Sequence, residues 1–282
     1  MNAHSDSRAR NRALRAASRK PIGVFDSGLG GLTVVREIRK RLPQERVVYF
    51  GDLARLPYGT KSPLEIQEAA AGCLAFLKLL EVKKIVVACN SAAGAARDVL
   101  LRCFGRDFLV DVIGPTAEEA VLLTRAKRIG VLGTPATVES NAYVRSVRRV
   151  DPSVKVFQKA CPLFVPLVEE GWFSGDVTRR IAQHYLKPML ARRVDVVILG
   201  CTHYPLLKAQ LARIVGRHAR LIDSAPATVR WLEAELESQG LLANGRSRGS
   251  LKVYLTDRPR QFERIGRRFL GERLPIVERT RV

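Results

Sequence analysis

The chain has 282 residues, enough for about two domains at roughly 150 residues each. Its composition is 46% hydrophobic and 27% charged, which supplies a sizeable buried core and argues against disorder. Forty-eight Lys and Arg against 27 Asp and Glu give a formal net charge of +21, which raises nucleic acid or another acidic surface as a partner.

No apolar run approaches the ~18 residues of a membrane-spanning helix. The opening residues MNAHSDSRARNRALRAASRK lack the apolar stretch of a secretory signal. Five cysteines, an odd number with no C-x-x-C pair, argue against a disulfide framework and against a structural zinc site. The expectation is a soluble, cytoplasmic globular protein that carries no metal and does not enter a membrane.

The charge is uneven. Residues 1–20 carry a net +5 and residues 246–282 a net +7, so 12 of the 21 excess charges lie in 57 terminal residues. An enzyme acting on nucleic acid would concentrate charge around its site instead of at its ends. Residues 1–20 are rich in Ala, Arg and Ser with little apolar periodicity, and are read as a basic, disordered tail. The tail has three readings: a basic arm for polyanions, an Arg-rich transit peptide, or a solvated extension.

In chain order, strands are expected at 22–25, 47–50, 84–88, 109–112, 129–132, 155–157, 195–199, 221–222 and 252–255. Helical patterns separate them, such as 64–80, whose Ala- and Leu-rich face repeats every three to four residues. Strand–helix alternation implies an α/β class with mostly parallel sheets. Sites in such sheets lie at the carboxyl ends of strands.

Two pairs of strand ends look alike. Ile22-Gly23-Val24-Phe25-Asp26-Ser27-Gly28 resembles Ile129-Gly130-Val131-Leu132-Gly133-Thr134-Pro135, 107 residues later. Val86-Val87-Ala88-Cys89-Asn90-Ser91 resembles Ile198-Leu199-Gly200-Cys201-Thr202-His203, 112 residues later. Two matches at nearly one offset suggest a duplicated α/β unit, hence two similar domains related by a pseudo-twofold axis with the site in the cleft between them. The chain order assigns residues 21–113 plus 223–282 to one domain and 114–222 to the other.

Cys89 and Cys201 each end a strand before an expected helix start, with Thr202 and Pro205 as cap and first-turn candidates after Cys201. The positive end of a helix dipole would favour the thiolate there. Cys73, Cys103 and Cys161 read as small apolar residues. Two thiols across a cleft, one ionised and one protonated, suit removal of a proton from one face of a carbon and its return to the other. A hydrolase pairing Cys201 with His203 is the rival, but it leaves Cys89 unexplained. In Ser27-Gly28-Leu29-Gly30-Gly31, the glycines would let backbone N–H groups approach an anion, or simply make a tight turn. Gly28-x-Gly30-x-x-Thr33 lacks the last glycine of a dinucleotide fingerprint. Taken alone, Tyr58-Gly59 could be a turn, Asp26 a helix cap, Glu169 a solvated residue and His203 a structural one.

FDSGLGG (25–31), LPYGTKS (56–62), ACNSA (88–92), CPLFVPLVEEG (161–171), LGCTHYPLL (199–207) and IDSA (222–225) together resemble the glutamate racemases of the aspartate/glutamate racemase family. The resemblance covers about residues 21–270, nearly everything but the basic tail. It implies cofactor-independent interconversion of L- and D-glutamate for peptidoglycan synthesis. Cys89 would take the α-proton from D-glutamate and Cys201 from L-glutamate, with Asp26 near the first thiol and His203, supported by Glu169, near the second. Asp26-Ser27, Tyr58-Gly59, Asn90-Ser91 and Thr202-His203 match the family's substrate-binding pairs. The family commonly has Thr where Ser91 stands. The resemblance also implies a homodimer, and some of its members are implicated in inhibiting DNA gyrase. The alternatives are a racemase of aspartate or another amino acid, and a polyanion- or DNA-binding role carried by the basic termini.

Overall fold

A computed structural model describes residues 12–245, 247–258 and 262–282. Its strands form two all-parallel sheets. The six-stranded sheet runs β10 (Val277–Arg279), β9 (Leu251–Leu255), β2 (Val47–Gly51), β1 (Ile22–Asp26), β3 (Lys84–Val87), β4 (Leu109–Asp111). The four-stranded sheet runs β6 (Lys155–Ala160), β5 (Arg128–Gly133), β7 (Val196–Gly200), β8 (Arg220–Asp223). Every residue of β1, β2, β3 and β7 is buried, as expected of continuous apolar strands covered on both faces.

The order 2-1-3-4 in the first sheet recurs as 6-5-7-8 in the second. Each strand therefore matches the one four later, and the repeat inferred from the paired strand ends is present in the topology. In both sheets the chain leaves the central strand to one side and then crosses to the other. The crevice at such a reversal, outside the strand carboxyl ends, is where open α/β sheets bind ligands. One reversal lies between β1 and β3, the other between β5 and β7.

The helices, in chain order, are α1 (residues 12–18), α2 (Leu32–Arg41), α3 (Pro63–Leu79), α4 (Asn90–Ala95), α5 (Arg97–Phe104), α6 (Ile113–Leu123) and α7 (Pro135–Glu139). After them come α8 (Ala142–Val150), α9 (Phe164–Glu169), α10 (Asp176–Ala191), α11 (Lys208–Val215), α12 (Ser224–Ser238) and α13 (Phe262–Leu270). Local chemistry sets several starts. Ser62 and Glu65 form a reciprocal capping box ahead of Pro63 at α3, and the Thr134 hydroxyl caps α7 by accepting from the Thr137 N–H. After the four-stranded sheet closes with β8, α12 packs on both α2 and α6, and β9 and β10 rejoin the first sheet.

The expectation of a disordered tail over residues 1–20 is corrected for its second half; residues 1–11 lie outside the described residues. Residues 12–18 are helical, since Ala, Leu and Arg are strong helix formers that need little periodicity to form a short helix. The helix is also anchored. Lys83 Nζ donates to the Ser18 carbonyl at 2.9 Å and to the Leu241 carbonyl at 2.7 Å, and pairs with the buried Glu45 carboxylate at 2.6 Å. Among the described residues, no helix is long and apolar enough to cross a membrane.

Candidate active site

The loops at the two reversals face each other across one cavity of about 270 Å3. From the six-stranded sheet, Ser27 follows β1 and Cys89-Asn90-Ser91 follow β3; from the four-stranded sheet, Thr134 follows β5 and Cys201-Thr202-His203 follow β7. Tyr58-Gly59-Thr60 and Glu169 add to the lining, while Pro162, Val165 and Pro166 supply an apolar wall. Both thiols therefore open onto the same space, although each residue is buried in the fold.

Asp26 is fully buried at the end of β1 and does not line the cavity. Its carboxylate accepts from the Gly28 N–H at 3.0 Å and from the Thr202 hydroxyl at 3.3 Å, linking the ends of β1 and β7 and so the two sheets. Burial raises its pKa, against the opposing pull of His203 and these donors. The Gly28 N–H of the glycine-rich turn is thus taken up by Asp26. The turn's closest constraint is Gly30, where a Cβ would stand 2.2 Å from Thr202 Oγ1 and 2.8 Å from His203 Nδ1, so the loops after β1 and β7 meet there through bare backbone.

Cys89 Sγ lies 3.4 Å from the Ser27 hydroxyl at the N-terminus of α4. The expected dipole effect is overridden: burial, reinforced by the Asp26 charge, pushes the thiol up to about 12. A six-residue helix has little dipole to set against desolvation. Cys89 is therefore held as a thiol by its burial. Cys201 precedes a 3-10 turn, Tyr204–Leu207, with His203 and not Thr202 in the capping position, and that turn leads into α11.

His203 Nδ1 is 4.0 Å from Cys201 Sγ and its Nε2 is 2.5 Å from Glu169 Oε1 on α9. Burial disfavours the imidazolium, but hydrogen bonds and charge from Cys201 and Glu169 outweigh it and push His203 up to about 10. Phe269 of α13 packs edge-on against the His203 ring at 5.1 Å, so α13 also borders this pair.

Asn90 Oδ1 accepts from the buried Tyr143 hydroxyl at 2.7 Å, while its Nδ2 is buried with no hydrogen-bond partner among the described residues and belongs to a residue of the cavity wall. A buried, unused donor is costly unless a ligand satisfies it. Ser91 and Thr134 share a hydroxyl–hydroxyl bond of 2.9 Å. Thr134 was not among the candidates read from sequence, although its signal was present: it is the counterpart of Ser27 in the repeated strand end.

Comparison with known proteins gives the family. Residues 31–232 match the family model described as Asp/Glu/Hydantoin racemase. A glutamate racemase of Syntrophus aciditrophicus is 48% identical over 262 residues, covering 93% of this chain and 97% of that one. The crystal structure of glutamate racemase from Francisella tularensis in complex with D-glutamate superimposes with a TM-score of 0.87 at 38% identity, covering 94% of this chain and 98% of that one. The Thermus thermophilus glutamate racemase bound to beta-chloro-D-alanine gives 0.83 at 41% identity, covering 93% and 97%. With the model spanning most of its length and such relatives covering nearly all of it, the chain belongs to the Asp/Glu/hydantoin racemase family.

Proposed function

We propose that the protein interconverts L- and D-glutamate by a two-thiol mechanism, supplying D-glutamate for peptidoglycan synthesis in the cytoplasm. The observation that carries this reading is that Cys89 and Cys201, at equivalent reversals of two repeated sheets, line one cavity. Residues 21–113 plus 223–282 form one domain and 114–222 the other, a division supported by the membership of the two sheets.

Cys89 accepts the α-proton of D-glutamate as a thiolate while the Cys201 thiol donates to the opposite face; L-glutamate runs the exchange in reverse. One C–H bond breaks, one forms, and one proton passes to each side. Because burial holds Cys89 protonated, its thiolate must form against a substantial cost, and the substrate ammonium entering the cavity offsets part of it. The Asp26 charge favours a Cys89 thiol, and the His203–Glu169 pair keeps an imidazolium near Cys201. The substrate carboxylates find donors in Asn90 Nδ2 and in the hydroxyls of Ser27, Ser91, Thr134 and Thr202. The apolar wall excludes water and strengthens these contacts as charge develops. Incubating the purified chain with a panel of L-amino acids and following loss of optical rotation tests the substrate: glutamate should racemise fastest, and aspartate outrunning it would select the rival reading. Light scattering tests the homodimer, which rests on the resemblance alone.

One observation favours a second role. A groove of about 1050 Å3 beside α13 is lined by Arg258, Arg264, Arg267, Arg268 and Arg273, with Glu263 the one acid among its described lining residues. It fits a polyanion such as a nucleic-acid backbone. With about four phosphates neutralised, log affinity would fall with log salt at a slope near −3.6. Retention on DNA at two salt concentrations, for the full chain and for Arg267→Glu/Arg273→Glu, tests this; equal retention by both proteins contradicts it, and racemisation should persist in either case.

A further inference from the structure

Asp52 follows β2 at the carboxyl edge of the six-stranded sheet, where its N–H donates to the Asp26 carbonyl at 3.1 Å. It is not in the cavity lining, yet it is fully buried with both carboxylate oxygens engaged. Oδ2 accepts from the Tyr58 hydroxyl at 2.5 Å and from Arg55 Nε at 2.6 Å. Oδ1 accepts from the Thr256 hydroxyl at 2.9 Å, and Thr256 follows β9. A buried carboxylate satisfied by a guanidinium and two hydroxyls is a rigid post.

What the post holds is the Tyr58-Gly59 wall. Burial and the neighbouring Cys73 and Asp52 raise the Tyr58 phenol far above its usual range, so it remains a donor at any working pH. The next residue, Gly59, lies so close to the second domain that a Cβ there would sit 2.6 Å from Thr134 Cβ. With no side chain to absorb a displacement, any shift of Tyr58 passes directly to Thr134, whose hydroxyl bonds both Ser91 and Thr137 at 2.9 Å. A continuous path therefore runs from Asp52 through Tyr58 and Gly59 to the Thr134–Ser91 hydroxyl pair, across the boundary between the domains.

We infer that Asp52 is a positioning residue for substrate: it fixes the Tyr58-Gly59 wall against Thr134, and so sets the width of the cavity at the Ser91–Thr134 pair without touching the reacting atoms. The inference rests on the racemase reading, and its test separates the two. Wild type, Asp52→Asn, Tyr58→Phe and the double variant are assayed in parallel for racemisation of both glutamate enantiomers and for thermal unfolding. Asp52→Asn leaves Arg55 without its anionic acceptor and loosens Tyr58. KM should rise about tenfold or more for both enantiomers, the equivalent of one lost charged hydrogen bond, while kcat stays within about threefold. Tyr58→Phe should raise KM in the same way, and the double variant should be no worse than Asp52→Asn, since one contact is lost in both. Thr256→Val, which removes only the Oδ1 partner, should raise KM less and carries the comparison should Asp52→Asn fail to fold.

A lowered unfolding temperature with unchanged KM would reduce Asp52 to a structural role and overturn the inference. So would a kcat loss at constant KM, or additive effects of Asp52→Asn and Tyr58→Phe. An inactive wild type would instead overturn the racemase reading itself.

Discussion

Replacing Glu169 with Gln tests how the second thiol's surroundings are charged. The substitution preserves size and a hydrogen-bonding oxygen but removes the negative charge 2.5 Å from His203 Nε2. In the folded protein His203 stands at about 10, against about 6.5 when unfolded. Its folded value is raised, so the stability it contributes is fully present below pH ~6.5 and is lost as pH climbs through about 10. At ~1.36 kcal/mol per pKa unit, that gap amounts to about 5 kcal/mol across the window. The measurement is denaturant unfolding of wild type and Glu169→Gln at several pH values between 6.5 and 10. Wild type should lose several kcal/mol over that range, whereas the variant should start lower and show a shallower dependence, because Cys201 alone then favours the imidazolium against burial. Subtracting the two curves cancels the other titrating groups. Parallel curves would refute the assignment of His203 as an imidazolium held by Glu169.

Three further outcomes follow from the geometry. Gly59→Ala places a methyl 2.6 Å from Thr134 Cβ, about 1 Å inside ordinary carbon–carbon contact, so steady-state kinetics should show KM for glutamate raised at least about tenfold, and unchanged KM would mean that the wall does not press on Thr134. Lys83→Met strands the Glu45 carboxylate, which is almost fully buried with it, and should cost about 3–5 kcal/mol in denaturant unfolding while racemisation at 25 °C persists; a loss below about 1 kcal/mol would show that the pair is not coupled to folding. Ser27→Ala removes the hydroxyl 3.4 Å from Cys89 Sγ, one of the groups that pull the thiol down, so kcat/KM should fall near neutral pH and recover partly in more alkaline buffer; a fall independent of pH would argue against that role.

The parallel architecture was legible because buried strands such as Ile22–Asp26 and Val196–Gly200 read as continuous apolar runs between turn residues. All nine expected strands are present, eight of them within a residue at each end, while the one read at 155–157 runs on to Ala160. The tenth, Val277–Arg279, buries one side chain and exposes two, so three residues of edge strand left no pattern to read. The thiols were legible for a different reason: they end repeated strands, and the repeat survives in both sequence and topology. Thr134 carried the same signal as Ser27 but lacked a conspicuous neighbour. Asp52 carried none, because its partners Tyr58 and Thr256 lie 6 and 204 residues away and only the fold joins them. The helix start at Cys89 is visible in the sequence, but the depth of burial that outweighs its dipole is not.

The claim on which the mechanism turns is that each thiol serves one face of one α-carbon. Solvent deuterium exchange into glutamate, followed by NMR in D2O for the wild type, Cys89→Ser and Cys201→Ser, addresses it most directly. The account predicts racemisation with exchange of both enantiomers in the wild type, exchange of L-glutamate alone in Cys89→Ser, and exchange of D-glutamate alone in Cys201→Ser, with racemisation nearly abolished in both variants. Full racemisation by either variant, or exchange of the same enantiomer by both, would contradict it.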